Sequence, residues 1–168
     1  MSALLSARDL ALRFGRVAAL DGVDLDIWPG EVVAIVGESG SGKTTLLRVL
    51  SGLMRPDAGT VLYEGRDVLA MGEAERRRLM RTEWGFVHQN PRDGLRMAVS
   101  AGGNIGERLM AVGARHYGGI RAKAAEWLAR VEIEVDRLDH LPRTFSGGMQ
   151  QRLQIARTLV THPRLVFM

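Results

Sequence analysis

The sequence predicts an α/β fold in three parts: an antiparallel β region at the N-terminus, a strand–glycine loop–helix unit, and a helical subdomain inserted into a mixed or parallel sheet core. Three observations predict it. Residues 37–44 read Gly-Glu-Ser-Gly-Ser-Gly-Lys-Thr, a complete G-x-x-x-x-G-K-[ST] pattern. Alternating apolar patterns crowd the first half of the chain. Helical periodicity takes over from about residue 100.

Residues 3–10 and 17–28 alternate enough for two strands, with a turn near Phe14-Gly15-Arg16. The second strand ends at Pro29-Gly30, a strong turn signal. Glu31 to Val36 is a short, β-branched apolar run that reads as a buried parallel strand. After the glycine loop, Thr45 to Leu53 reads as a helix with Leu46, Leu50 and Leu53 on one face. Pro56-Asp57-Ala58-Gly59 turns the chain into a strand at Thr60 to Tyr63. Glu73 to Arg81 is helical, with Glu73 and Arg77 as an i,i+4 pair; Arg76-Arg77-Arg78 reads as a solvated helix face ahead of a docking patch. Trp84 to His88 reads as a strand leading into Gln89-Asn90-Pro91. Beyond it, Ile105, Leu109 and Val112 share one helical face, and Ile120, Ala124, Trp127, Leu128 and Val131 another, with Gly113 to Gly119 as the intervening loop. The expected organisation is an α/β core over 1–89, a helical subdomain over 90–161, and the start of a further strand over 162–168.

Composition bounds the function. With 168 residues, 46% hydrophobic and 25% charged, the chain has one domain's worth of material and enough for a substantial core. It has no cysteine, so disulfides and thiolate metal sites are excluded. The net charge of +4 is carried almost wholly by arginine and interspersed with carboxylates, which reads as a solvated surface; no nucleic-acid partner is expected. No apolar run is long enough to span a bilayer and the N-terminus lacks a signal pattern, so the expected location is cytoplasmic. None of the four histidines has metal-ligand spacing; His88 reads as structural or surface, and His116-Tyr117 as a turn.

The glycine loop is where chemistry concentrates. Glycines let successive N–H groups point inward, and a helix start adds unpaired donors and a positive dipole end, so the loop suits an anion. The pattern assigns Lys43 to the β- and γ-phosphates of a nucleotide and the Thr44 hydroxyl to Mg²⁺. A second motif opens a later helix: Phe145-Ser146-Gly147-Gly148-Met149-Gln150-Gln151-Arg152, followed by Met149, Leu153, Ala156 and Leu159 on one face. Ser146 suits an N-cap, and Gly147 and Gly148 leave the first amides open to an anion.

Together these two motifs resemble the nucleotide-binding subunits of the ATP-binding cassette (ABC) superfamily, and the resemblance covers the whole chain. It implies a P-loop NTPase fold of ABC type. It implies ATP and Mg²⁺ as cofactors, with contacts from Gly37, Ser39, Gly40, Ser41, Gly42, Lys43, Thr44 and Thr45. Phe145 to Arg152 is similar to the family signature, with Phe145 in place of Leu and Met149 in place of Gln. Ser146, Gly147 and Gly148 are then expected to meet the nucleotide held by a second protomer, in a homodimer or a dimer with a paralogue. Gln89 falls at the family's glutamine beside Mg²⁺ and the attacking water, and is a catalytic candidate with Lys43. Phe14 matches the position that stacks on adenine; a core phenylalanine is the alternative.

A narrower resemblance rests on Arg81 to Gly85, His88 to Arg96, Ser100 to Met110 and Gly113 to Gly118. These stretches look like the ATP-binding proteins of the bacterial carbon–phosphorus lyase (phosphonate degradation) system. That implies docking on soluble lyase core subunits. Peptide- or nickel-type importer ATPases, which share Gly37 to Gly40 and Met149 to Arg152, imply membrane permease partners and a membrane-peripheral location instead. A non-hydrolysing, nucleotide-dependent assembly module is a third reading, and a small-molecule kinase would leave Gln89 and Ser146 without a role. In the family, the strand that starts at Arg164 is followed by an Asp supporting Mg²⁺ and a Glu polarising water, and this sequence stops before both. It therefore looks C-terminally truncated. The 168-residue chain expressed alone is expected to be poorly soluble and to show negligible ATP turnover, since a general base is typically worth about 10²–10⁴-fold. A steady-state phosphate-release assay checks this, and robust hydrolysis would contradict it.

Overall fold

The structure is a computed structural model that describes residues 2–168. Its contacts divide the chain into two compact units, residues 1–76 and residues 77–168.

The first unit is built on a four-stranded antiparallel sheet in the order β2-β1-β3-β4. The strands are β1 (Leu5–Phe14), β2 (Val17–Ile27), β3 (Ala58–Tyr63) and β4 (Arg66–Asp67). The β1–β2 hairpin follows from alternation: Leu5, Ala7, Leu10 and Leu12 are buried while Arg8 and Asp9 face out. Its register runs from Leu5 opposite Ile27 to Phe14 opposite Val17, with irregularities after Ala7. There Asp9 takes φ +48° and its N–H donates to the Asp24 carboxylate at 2.7 Å. Leu5 also pairs with Tyr63, which puts the fully buried Tyr63 and Val61 on the inner face.

Helix α1 (Lys43–Leu50) starts two residues earlier than the periodicity predicts and ends three earlier. Ser51 and Gly52 stop it. Gly52 adopts φ +68°, its N–H bonds the Val49 carbonyl, and the Leu53 N–H bonds the Arg48 carbonyl at 2.8 Å. This pair of bonds is the Schellman arrangement, for which glycine is the favoured residue. The buried face is therefore Leu46, Val49 and Leu50, and Leu53 lies outside the helix and exposed.

The segment Glu31 to Val36 differs most from expectation. It forms no strand, and Val32 and Val36 are 95% and 91% exposed. A parallel strand exists only through its ladder partners, and no described strand pairs with this segment. Its apolar, β-branched character records a preference that no neighbour satisfies here.

The second unit begins within α2 (Glu73–Thr82), whose one buried residue is Leu79; Arg77 and Arg78 are exposed. Strand β5 (Trp84–Phe86) pairs in parallel with β6 (Leu165–Phe167), Trp84 opposite Leu165 and Phe86 opposite Phe167. Phe86 and Phe167 stack at 5.1 Å, and Trp84 meets Phe167 edge-on at 5.5 Å. His88, expected inside the strand, lies beyond its end.

Four α-helices follow, α3 (Pro91–Gly94), α4 (Ala101–Ala111), α5 (Tyr117–Arg130) and α6 (Gly147–Leu159), with two short 3-10 helices, Val135–Asp139 and Pro142–Thr144, between α5 and α6. Ile105, Ala124, Trp127, Leu128, Leu153, Ala156 and Val160 form their common core. The predicted 113–119 loop is shorter than expected, because α5 starts at Tyr117. His116 is its N-cap, with Nδ1 accepting the Gly119 N–H at 3.0 Å. Val112, predicted on the α4 face, is instead the exposed residue that caps that helix. The buried Asn104 pins the segment before α4: its Oδ1 accepts from the Arg96 N–H, and its Nδ2 reaches the Arg96, Val99 and Ser100 carbonyls.

Candidate nucleotide site

In the first unit the glycine loop runs directly into α1 with nothing capping the helix. Gly42 is the N-cap residue, in the left-handed region at φ +90°, and no side chain bonds the first-turn amides. The first turn also lacks an acidic residue. The helix start therefore offers free N–H donors and the positive end of its dipole to solvent. Only glycine fits at residue 42. A Cβ there would sit 2.3 Å from the Ala19 carbonyl oxygen of β2, and the backbone conformation is one that side chains resist. Gly40, at φ +83°, makes the turn before it, where the Ser41 N–H bonds the Glu38 carbonyl.

Lys43 folds back across the loop. Its ammonium donates to the Gly37 carbonyl at 2.8 Å, the Glu38 carbonyl at 2.5 Å and the Ser41 hydroxyl at 3.2 Å. Three acceptors within the loop hold this cation at the helix start. Thr44 is exposed and Thr45 half-buried, the second and third residues of the helix. The uncapped first-turn amides of α1 and the Lys43 ammonium thus lie together where the loop meets the helix. Phe14 lies at the hairpin end, 52% exposed and outside the core.

The remaining candidates lie in the second unit. Ser146 caps α6, its hydroxyl accepting the Met149 N–H at 3.3 Å. Open space surrounds the Cβ positions of Gly147 and Gly148, so the first turn is accessible. Phe145, the departure from the family pattern, is 5% exposed and anchors the motif in the helical core. Gln89 is exposed and follows β5 by three residues.

What links Gln89 to α6 is a polar stripe that apolar periodicity does not reveal. Gln150, Gln154 and Thr158 recur every four residues and are all buried. Gln150 Nε2 donates to the Pro142 and Phe145 carbonyls, fixing the turn before the helix. Gln154 Oε1 accepts the His88 N–H at 2.7 Å while its Nε2 donates to the His88 carbonyl at 3.0 Å. Thr158 Oγ1 donates to the Phe86 carbonyl at 2.9 Å. The sequence signal was the exception to the apolar pattern: polar residues at i, i+4 and i+8 within an otherwise core-facing helix.

Arg108 braces the same strand from the other side. It donates to the Met80 carbonyl at 3.2 Å and the Trp84 carbonyl at 3.1 Å. Burial lowers its pKa below the ordinary guanidinium value and the nearby Arg157 lowers it further, while Glu107 opposes both. Among the described residues, no group of three or more His, Asp or Glu side chains can hold a metal ion. Three hydroxyls, Ser41, Thr44 and Thr45, lie at or beside the start of α1.

Residues 20–168 match the family described as ABC transporter. The chain belongs to that family. An ABC protein of Escherichia coli K12, "Putative phosphonates utilization ATP-binding protein PhnK", is 64% identical over 98% of this chain and 66% of its own length. A sulfate/thiosulfate import ATP-binding protein, CysA of Bradyrhizobium diazoefficiens, is 39% identical over 98% of the chain and 46% of its own length. The chain thus spans less than two thirds of the length of these ABC relatives. Among solved structures, the dimeric post-hydrolysis ATP-binding cassette MJ0796 bound to ADP and Pi superposes with TM-score 0.87 at 32% identity, covering 96% of this chain and 72% of that one. The ABC cassette fold is therefore that of this chain, with its antiparallel β part and its helices. No helix among the described residues is long and apolar enough to cross a membrane.

Proposed function

We propose that the chain binds ATP with Mg²⁺ at residues 37–45 and is the nucleotide-binding part of a cytoplasmic ATPase serving phosphonate utilisation through the carbon–phosphorus lyase system. The observation that carries the binding reading is the uncapped start of α1 behind Gly42, with Lys43 held at its mouth. The phosphonate assignment leans on the 64% identity to the Escherichia coli relative.

The donor set fits a triphosphate. Lys43 exchanges the Gly37 and Glu38 carbonyls for the β- and γ-phosphate oxygens, and the uncapped first-turn amides of α1 supply further donors to the same charge. When bound, Mg²⁺ would neutralise phosphate charge, with the Thr44 hydroxyl as the ligand this unit supplies; Gln89 takes the role of orienting the attacking water by the resemblance alone. Phe14, exposed at the hairpin end, offers a flat face to the adenine. Ser146, Gly147 and Gly148 present a second helix start to the nucleotide of a partner protomer, in a homodimer or a paralogue dimer. The protein's part in hydrolysis is then positioning and charge stabilisation, as in phosphoryl transfer generally.

A second reading is favoured by the 39% identity to a sulfate/thiosulfate import protein: an importer ATPase docked on membrane permeases. Identifying what co-purifies with the intact protein separates the two. Soluble lyase subunits support the phosphonate reading, and polytopic membrane proteins support the importer. In the intact protein, Lys43→Ala is expected to weaken ATP binding by about 10- to 100-fold through loss of charge-assisted bonds, measured by equilibrium titration. Ser146→Arg is expected to leave ATP binding intact while abolishing ATP-dependent dimers on size-exclusion chromatography. Unchanged turnover in Ser146→Arg would exclude the shared-nucleotide dimer.

A further inference from the structure

We propose that Gln154 is a positioning residue that locks the backbone carrying Gln89 onto the signature helix, so that Gln89 and Ser146 move as one body. The inference rests on the reading above that Gln89 acts at the nucleotide.

The geometry is specific. The Gln154 side chain is fully buried, and its amide makes both hydrogen bonds to a single peptide-bearing residue, His88, at 2.7 and 3.0 Å. An amide facing a backbone N–H and C=O in this way substitutes for a strand partner where β5 has already ended. Thr158 holds the Phe86 carbonyl one turn further along, and the Val87 N–H bonds the Phe167 carbonyl of β6. On the other side of Gln89, Asn90 caps α3 by accepting the Arg92 N–H at 3.1 Å. Gly94 of α3 packs on the Gln154 amide so closely that a Cβ there would lie 2.7 Å from Oε1. Gln89 is therefore an exposed side chain between two pinned neighbours, His88 and Asn90.

Ser146 and Gln154 are eight residues apart on one helix, about 12 Å along its axis. A displacement of Ser146 on meeting a partner's nucleotide is thus delivered to the Gln89 backbone without an intervening loop. Leucine at 154 would roughly keep the volume and remove both partners of the His88 N–H and C=O, which are part-buried. Glutamate is the informative replacement. Its protonated form has the same acceptor and donor pair as the amide, whereas its ionised form cannot donate to the His88 carbonyl.

The test uses the intact protein, with ATP affinity, kcat and Tm measured for the parent and for Gln154→Leu, Gln154→Glu and Leu153→Ala. Leu153 is the adjacent buried residue, facing the helical core. The expected result is that Gln154→Leu lowers kcat by about 10- to 100-fold, the scale of a misplaced catalytic group, with ATP affinity within about twofold of the parent. Gln154→Glu should recover activity relative to the parent as the pH falls from about 8 to about 6, because burial raises the carboxyl pKa. Loss of kcat in Gln154→Leu and Leu153→Ala in common proportion to their loss of Tm would overturn the proposal, as would a Gln154→Glu ratio that does not change with pH. Unchanged kcat in Gln154→Leu overturns the proposal alone. A parent without Lys43-dependent turnover overturns the functional reading and this inference with it.

Discussion

A helix that begins without a cap is the constraint on which the first unit's chemistry depends. Ordinary helices cover their first N–H groups with a serine, threonine or aspartate side chain. The other long helices with an assigned cap have a side-chain acceptor there, from Ser100, Ser146 and, less commonly, His116. α1 does not. Its N-cap is Gly42, whose left-handed backbone fits only because it has no side chain to meet Ala19. The unmet donors are acceptable because they face solvent and an anion can cover them. The helix forgoes the stabilisation a cap would add, and the Lys43 ammonium lies beside its open amides.

The second unit solves a different problem, which is to hold exposed residues still. Gln89, Ser146, Gly147 and Gly148 all point to solvent and have little packing of their own. Their rigidity comes from what lies directly beneath them. Phe145 is sunk in the helical core, Gln150 ties the preceding turn to the helix, and Gln154 and Thr158 hold the end of β5. Leaving any of these polar groups unpaired would cost about 1–3 kcal/mol each, so the stripe specifies one register of α6 against β5.

What could be read in advance divides along physical lines. The β1–β2 hairpin, the turn at Pro29-Gly30 and the Ser146 cap were legible because local rules decide them: alternation, φ-restricted turn residues and hydroxyl capping. The glycine-loop pattern predicted a turn running straight into a helix, and Gly40 and Gly42 at positive φ do lead into α1. Glu31 to Val36 was misjudged because strandhood is non-local, and β-branched residues state a preference without naming a partner. The end of α1 was misjudged because Leu53 fits the periodicity while Gly52 ends the helix; the glycine carried the information. His116 was read as part of a loop because histidine is an uncommon cap.

Gln154 and Asn104 were invisible for a deeper reason. Both are polar residues that the burial rule sends to the surface, and both are fully buried because each satisfies backbone groups from a segment that has no ladder partner. Asn104 closes the chain between α3 and α4, and Gln154 closes the chain between β5 and α3. The two amides thus flank the single short stretch, residues 88–100, through which the chain passes from sheet to helices. A hydrophobic core cannot fix such a stretch, since its peptide groups need partners at defined positions. A side-chain amide carries its donor and its acceptor on separate atoms spaced to meet a peptide N–H and C=O together, as Gln154 does at His88; an ionised carboxylate cannot donate, and a hydroxyl offers one oxygen for both roles.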